Sequence, residues 1–153
     1  MIMTFLIAAL SLLQPAEPQE ISWNDLVPEG VEEVEAPELD HEKIGQQTGS
    51  AETVAELDGA YIKMPGFMLP LDYTERGRVR AFLLVPYYGA CIHVPPPPPN
   101  QIVFVDTAEK PVESKGLWDP VWVTGTMRVK PNENDLGDTA YTLELEKLEP
   151  YID

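Results

Sequence analysis

The sequence predicts a mostly β fold: a small five-stranded OB-like barrel, preceded by short N-terminal helices and an acidic N-terminal arm. Sixteen prolines and ten glycines divide the 153 residues into short segments, because both residue types are unfavourable inside long helices. Five strand-like segments, with one longer connection at residues 106–120 between the third and the fourth, match the layout of such a barrel. A closed barrel also leaves a small β protein without exposed strand edges.

The first 13 residues form an uncharged apolar run, which is shorter than the roughly 20 residues that a membrane-spanning helix needs. This pattern is typical of a secretory signal peptide, and we expect cleavage after Ala16, so that residues 1–16 are removed. The expected location is periplasmic or secreted, without stable membrane insertion after cleavage. An uncleaved membrane anchor is the alternative.

Negative charge is concentrated in residues 17–58, the acidic arm. This segment holds thirteen acidic residues and one lysine, a net charge of −12 of the chain's −16. Such a chain repels phosphate backbones, so nucleic acid is excluded as an expected partner. Within the arm, Ser22 is a candidate N-cap for one helical turn that ends before Pro28, and residues 50–57 predict a short capped helix. Residues 29–47 indicate a loop or solvated connector.

Residues 59–153 carry the five strand candidates. The second is almost entirely apolar, as expected for a strand buried on both faces, and the fifth alternates polar and apolar residues. The first contains Pro65-Gly66, which predicts a bulge or bend. We expect Trp122, between two valines, to point into the barrel. The predicted strands are residues 60–68, 79–86, 101–105, 121–129 and 140–148.

The only cysteine of the chain, Cys91, lies two residues from one of only two histidines, His93. On a strand these side chains would emerge side by side, because residues i and i+2 point to the same face. A thiolate and an imidazole suit Zn²⁺ or Cu⁺, and His41 in the acidic arm is the natural third ligand. Two alternatives stay open. Cys91 is a small buried hydrophobe, or His93 activates Cys91 as a nucleophile.

A run of five prolines, residues 95–99, follows this pair. Each proline fixes φ and lacks an N–H, so the run forms a stiff segment. It is a candidate docking element for an aromatic-lined groove, or a rigid connection between the second and third strands. The candidate binding residues in and around it are Tyr87, Tyr88, Pro96, Pro97, Asn100 and Gln101.

Four segments together closely resemble an exported bacterial family, domain of unknown function 3299 (DUF3299). They are residues 21–28 (ISWNDLVP), 65–71 (PGFMLPL), 82–98 (FLLVPYYGACIHVPPPP) and 120–125 (PVWVTG). The resemblance covers about residues 21–151, and it implies a periplasmic or lipoprotein location, often beside components of an export or metal-uptake ABC transporter. The chain departs from lipoprotein members because it has no lipobox cysteine.

The sequence therefore predicts a non-catalytic binding or accessory protein of the cell envelope, with a transition metal handled for an ABC-type transporter as its candidate ligand. One alternative is a cysteine-dependent redox or hydrolytic enzyme using Cys91 and His93. Another is a structural interaction module that uses the polyproline segment as its contact surface.

Overall fold

A computed structural model describes residues 15–32 and 46–152, and its regular structure is almost entirely β. Five strands form a closed barrel, which confirms the predicted mostly β, five-stranded barrel. A short additional strand, β1, lies beside it. The strands are β1 (Gln19–Glu20), β2 (Tyr61–Tyr73), β3 (Val79–Val85), β4 (Val103–Asp106), β5 (Asp119–Arg128) and β6 (Tyr141–Pro150).

The barrel closes because its longest strand, β2, pairs with two neighbours along different parts of its length. The first part pairs antiparallel with β5 and the second part pairs antiparallel with β3. The ladder continues from β3 to β4 and from β6 to β5, both antiparallel. Between β4 and β6 the pairing is parallel. The order around the barrel is therefore β2-β3-β4-β6-β5, returning to β2.

Of the bulge or bend predicted at Pro65-Gly66, the bulge is wrong. Both residues pair with β5 without a register shift, and the irregular pairing of β2 lies at residues 70–73 instead. On the other edge of β2, β1 reaches only to residue 63 and β3 begins at residue 67. A proline without an N–H fits a regular strand in this gap. Gly66 is needed for packing, since an added Cβ would lie 2.6 Å from the Cγ of Leu84.

The two short N-terminal helices are not α-helices in the described residues. A single 3₁₀ turn occupies Trp23–Leu26 and another occupies Ala55–Leu57. Ser22 lies at the N-cap position of the first turn, and its backbone N–H and its hydroxyl both donate to the Asp25 carboxylate, at 2.6 and 2.9 Å. Segments this short make too few backbone hydrogen bonds to propagate a helix.

Both 3₁₀ turns are held on the barrel by one buried hydroxyl, that of Tyr141 at the start of β6. This hydroxyl donates to the carbonyl of Leu26 at 2.7 Å and accepts from the amide of Val54 at 2.8 Å. Leu26 and Leu57 are buried in the same core cluster as Tyr141. Both described parts of the acidic arm therefore contribute side chains to the barrel core, while the predicted boundary at residue 58 stays a prediction. The predicted signal peptide lies almost wholly outside the described residues.

Within residues 15–32 and 46–152, no helix has the length and apolar character that crossing a bilayer requires.

We predict that Gly125→Ala destabilises the barrel by about 3 kcal/mol or more, because overpacking against an immobile backbone forces the strands apart. An added Cβ would overlap the carbonyl oxygen of Glu144 and lie 3.1 Å from the Cα of Leu145. Urea denaturation measures the effect. Gly66→Ala is the comparison, because it meets side chains rather than backbone. Equal losses for the two variants would contradict this explanation.

Candidate interaction site at the Cys91–His93 turn

The segment that contains Cys91 and His93 is a tight turn between β3 and β4. The carbonyl of Gly89 accepts hydrogen bonds from the amides of His93 and Val94, at 2.9 and 3.2 Å. Cys91 adopts a left-handed backbone conformation, with φ at 70°. The strand geometry expected for Cys91 and His93 is therefore wrong, because a chain wrapped around one carbonyl has no strand alternation.

The two side chains have different surroundings. Cys91 is partly buried and packs against a second core cluster, which contains Leu83, Ala90 and Trp118. His93 is exposed, and its ring lies 5.3 Å from the Trp118 ring, tilted by 40°. Cys91 thus resembles a buried hydrophobe, whereas His93 covers an aromatic side chain.

Burial raises the pKa of the Cys91 thiol to about 12, from an ordinary value of 9.0. The pKa of the nearby Tyr87 hydroxyl is also raised, to about 12. Burial is the main cause, and the charge of a Cys91 thiolate is the second. The thiolate is the form that attacks electrophiles and binds metals. In the folded protein Cys91 is therefore a protonated thiol near neutral pH.

No cluster of three or more His, Cys, Asp or Glu side chains with metal-binding geometry occurs in residues 15–32 and 46–152. Cys91 and His93 therefore have no third His, Cys, Asp or Glu ligand within that part of the chain. His41, the predicted third ligand, lies outside the described residues. The predicted Zn²⁺ or Cu⁺ site stays a prediction.

Four aromatic rings converge beside this turn. The ring of Tyr88 lies 4.9 Å from that of Trp118 and 6.4 Å from that of Phe67, and His93 lies on Trp118 as described above. The indole N–H of Trp118 donates to the carbonyl of Ala90 at 3.2 Å, so the ring is fixed to the turn.

The resulting surface is apolar and exposed. Trp118 is buried, but Tyr88 is 67% exposed, and Leu117 and Ile92, the chain neighbours of Trp118 and His93, are 51% and 38% exposed. We call the exposed residues around Trp118 the Trp118 surface. They are Tyr88, Ile92, His93 and Leu117.

Trp122 does not join this group, and its predicted position inside the barrel is wrong. Its neighbours Val121 and Val123 are buried, and alternation along β5 turns Trp122 to the outer face. There the Lys63 ammonium lies 4.9 Å from its ring centre, and the ring of Tyr151 stacks on it at 5.4 Å.

The polyproline segment is largely covered by the protein itself. Residues 95–98 are buried, which disagrees with the expectation of an exposed proline surface. The side chain of Gln47 donates to the carbonyls of Pro97 and Asp138, at 2.9 and 2.8 Å. The Tyr87 hydroxyl donates to the carbonyl of Pro95 at 3.2 Å. Pro96 and Pro97 thus line a contact within the chain.

Asn100 and Gln101 also bind other parts of the chain. The buried Asn100 side chain donates to the carbonyl of Glu52 at 3.0 Å. The backbone N–H of Asn100 donates to the carbonyl of Ser50 at 3.2 Å. The Gln101 side chain donates to the carbonyl of Trp23 at 2.9 Å. These two residues attach both described parts of the acidic arm to the barrel.

Leu117 and Ile92 of the Trp118 surface, and Phe67 beside it, were not predicted from the sequence. Leu117-Trp118 follows Gly116 at the end of the long connection, and an apolar pair in such a polar loop is a signal of a functional surface. Phe67 lies within a strand, and nothing in its sequence context indicates that it contacts Tyr88.

The fold and the site define a small closed β-barrel protein whose cysteine-bearing turn carries an exposed aromatic surface. The chain belongs to the family DUF3299, described as a protein of unknown function, whose model matches residues 23–150. This confirms the resemblance seen in the sequence. A search of curated proteins found no match. The crystal structure of a DUF3299 family protein from Pseudomonas aeruginosa PAO1 is similar, with 40% identity and a TM-score of 0.81 over 90% of this chain and 99% of that one.

We predict that Asn100→Ala lowers the free energy of unfolding by about 2 kcal/mol, because the Glu52 carbonyl loses its buried donor. Chemical denaturation measures the loss. Asn24→Ala is the matched control, since Asn24 is exposed and its change should stay within about 0.5 kcal/mol. A stable Asn100→Ala protein would argue against a structural role for this residue.

We predict that stability falls as pH rises above about 9. Folding raises the pKa of the Cys91 thiol, so the unfolded chain releases this proton first. The contribution is complete below pH 9 and decreases as pH rises toward 12, by about 3 kcal/mol near pH 11. Denaturation of Cys91→Ala across pH 8–11 should show a shallower decline than the unchanged protein, and Tyr88→Phe should show the same decline. Identical slopes for Cys91→Ala and the unchanged protein would contradict burial of the thiol.

Proposed function

We propose that this protein is a non-catalytic accessory protein of the bacterial cell envelope that binds another envelope protein through the Trp118 surface. The observation that carries the proposal is the coincidence of backbone strain and exposed aromatic area. Among the described residues, Cys91 and Trp118 are the two non-glycine residues with positive φ, at 70° and 55°. Such strained positions concentrate at functional sites, and here they lie on the two loops that meet at this surface.

The composition of the surface favours a protein partner. Exposed Tyr88 and Leu117 cost solvation free energy in the free protein, and exposed apolar patches mark interaction sites. Aromatic side chains on a rigid support often dominate binding energy. The net charge of −16 disfavours nucleic acid.

We also propose that the barrel is OB-like. Its support is the Greek-key order of five strands, in which β4 pairs parallel with β6. Barrels of this kind present loops from a rigid frame, so their binding function resides in the loops.

Periplasmic or secreted location rests on the apolar run at residues 1–13. For the partner, the resemblance to exported family members suggests a component of an ABC-type transporter. This function requires neither a bound metal nor a covalent reaction, and burial, which raises the pKa of the Cys91 thiol, disfavours a cysteine nucleophile.

The test measures binding between the purified protein and the extracytoplasmic domain of an ABC-type transporter component from the same organism. Tyr88→Ala and Leu117→Ser should each weaken binding by at least about tenfold, because they remove exposed anchors. Tyr73→Ala is the matched control, since Tyr73 is also exposed but lies at the end of β2.

No binding, or equal binding by the Tyr88→Ala and Tyr73→Ala variants, would overturn the proposal. Light scattering covers one further outcome. If the protein forms a dimer that Tyr88→Ala dissociates, the occupant of the Trp118 surface is a second copy and the proposed heterologous partner is wrong.

A further inference from the structure

An apolar row runs across the outer face of the barrel and begins at the Trp118 surface. Its middle is formed by Phe67 of β2 and Pro120 of β5. Alternation turns both residues outwards, because their chain neighbours Met68 and Val121 belong to the core cluster inside the barrel. Phe67 and Pro120 lie directly opposite each other in the pairing of β2 with β5, so the row continues from one strand to the next.

Tyrosine rings mark both ends of the row. At the end nearer β3, the Tyr88 ring lies 6.4 Å from the Phe67 ring and is nearly perpendicular to it, at 86°. At the end nearer β6, the amide of Tyr151 donates to the carbonyl of Pro120 at 3.0 Å, and the Tyr151 ring stacks on Trp122. Both tyrosines are exposed, at 67% and 42%. We call these five residues the aromatic row.

The main chain beneath the aromatic row has no free strand edge. Phe67 pairs with Val85 of β3 on one side and with Pro120 of β5 on the other. On its second edge, β5 pairs with β6. An occupant of the row therefore contacts side chains only, and its own backbone groups must be bonded internally or to water or side chains.

The free polar groups along the row are hydrogen-bond donors. The indole N–H of Trp122 and the two tyrosine hydroxyls form no hydrogen bond with any described residue, and an indole can only donate. The Lys63 ammonium, 4.9 Å from the centre of the Trp122 ring, is a further donor. The carboxylate beside Trp122, that of Glu149, is already paired with Lys147 at 3.3 Å. An occupant rich in free acceptors fits this face.

We propose that the aromatic row binds a proline-rich segment of the envelope partner in the polyproline II conformation. This inference rests on the function proposed above, because it names the chemistry by which the partner contacts the Trp118 surface. A polyproline II segment has no internal hydrogen bonds, so its carbonyls are free to accept from the donors of the row. The carbonyls of a helix are already bonded within the helix. Proline-rich segments of this kind dock on aromatic-lined surfaces.

The chain already makes one contact of this kind within itself. The Tyr87 hydroxyl donates to the carbonyl of Pro95, in the buried polyproline segment, at 3.2 Å. The next residue, Tyr88, is exposed at the start of the row. From Tyr88 to Tyr151 the row is roughly 16 Å long, given 6.4 Å between its first two rings and a strand spacing of about 4.8 Å. Polyproline II rises about 3.1 Å per residue, so about five residues cross the row.

The test titrates the purified protein with an array of ten-residue peptides that carry proline at every third position and varied residues between. Three residues complete one turn of polyproline II, so these prolines share one face. We expect members of the array to bind. Replacing their prolines by alanine should weaken binding by at least about tenfold, because alanine does not hold the extended conformation. Amphipathic helical peptides should bind no better than the alanine peptides.

Variants of the protein locate the peptide on the row. Tyr151→Ala removes one end of the row and should weaken binding of the tightest peptide by at least about fivefold. Trp122→Phe keeps an aromatic ring but removes the N–H donor, and we expect a loss of about fivefold. Tyr73→Ala is the matched control, with an effect below about twofold, because Tyr73 is exposed at the end of β2. Urea denaturation checks that each variant is folded.

This inference is wrong if no proline peptide binds, if the alanine or helical peptides bind as tightly, or if Tyr151→Ala and Trp122→Phe bind like the unchanged protein. When Tyr88→Ala still weakens binding of the transporter domain in such a case, the function proposed above stands and only the proline-rich occupant is wrong. Proline peptides that bind at the row, without any binding of the transporter domain, would support this inference and overturn the proposed transporter partner.

Discussion

The structure depends on one buried hydroxyl, that of Tyr141. It accepts from Val54 and donates to Leu26, so it joins the two described parts of the acidic arm to the first residue of β6. A buried tyrosine hydroxyl needs such partners, and their positions bring Leu26 and Leu57 into the core. The described parts of the arm, with eight acidic residues and no basic one, are thereby kept next to a barrel that is itself acidic.

The polyproline connection and the strained turn are also held in place by hydrogen bonds within the chain. The buried prolines and Asn100 hold residues 47–52 of the arm on one side. On the other side, the Gly89 carbonyl and the Trp118 indole hold the turn in a conformation that Cys91 would not adopt alone. Because the turn is rigid, its aromatic residues lose little conformational entropy on binding. The packing of the barrel thereby supports its proposed function.

Most of the barrel was predictable because strand signals are local. Alternation in β5 and β6 and the apolar run of β3 depend only on residues a few positions apart. The aromatic surface was predictable only in part. Tyr88 and Trp118 are 30 positions apart in the chain, and no local pattern indicates that their rings meet. The strand geometry expected for Cys91 and His93 was wrong for the same reason, since these residues lie in a hydrogen-bonded turn.

The class of fold, the five strands and membership of the DUF3299 family follow from the sequence alone. Periodicity, turn residues and the Cys-Ile-His-polyproline segment are all patterns of neighbouring residues. Which side chains are buried, and which of them are in contact, became known only from the tertiary structure. In the folded chain the prolines at residues 95–98 are buried, the Cys91 thiol is partly buried, and Trp118 lies against Tyr88 and His93. Among the described residues, one edge of β6 beyond residue 144 has no strand partner. These outcomes depend on contacts between distant residues, whose free energies no local pattern contains.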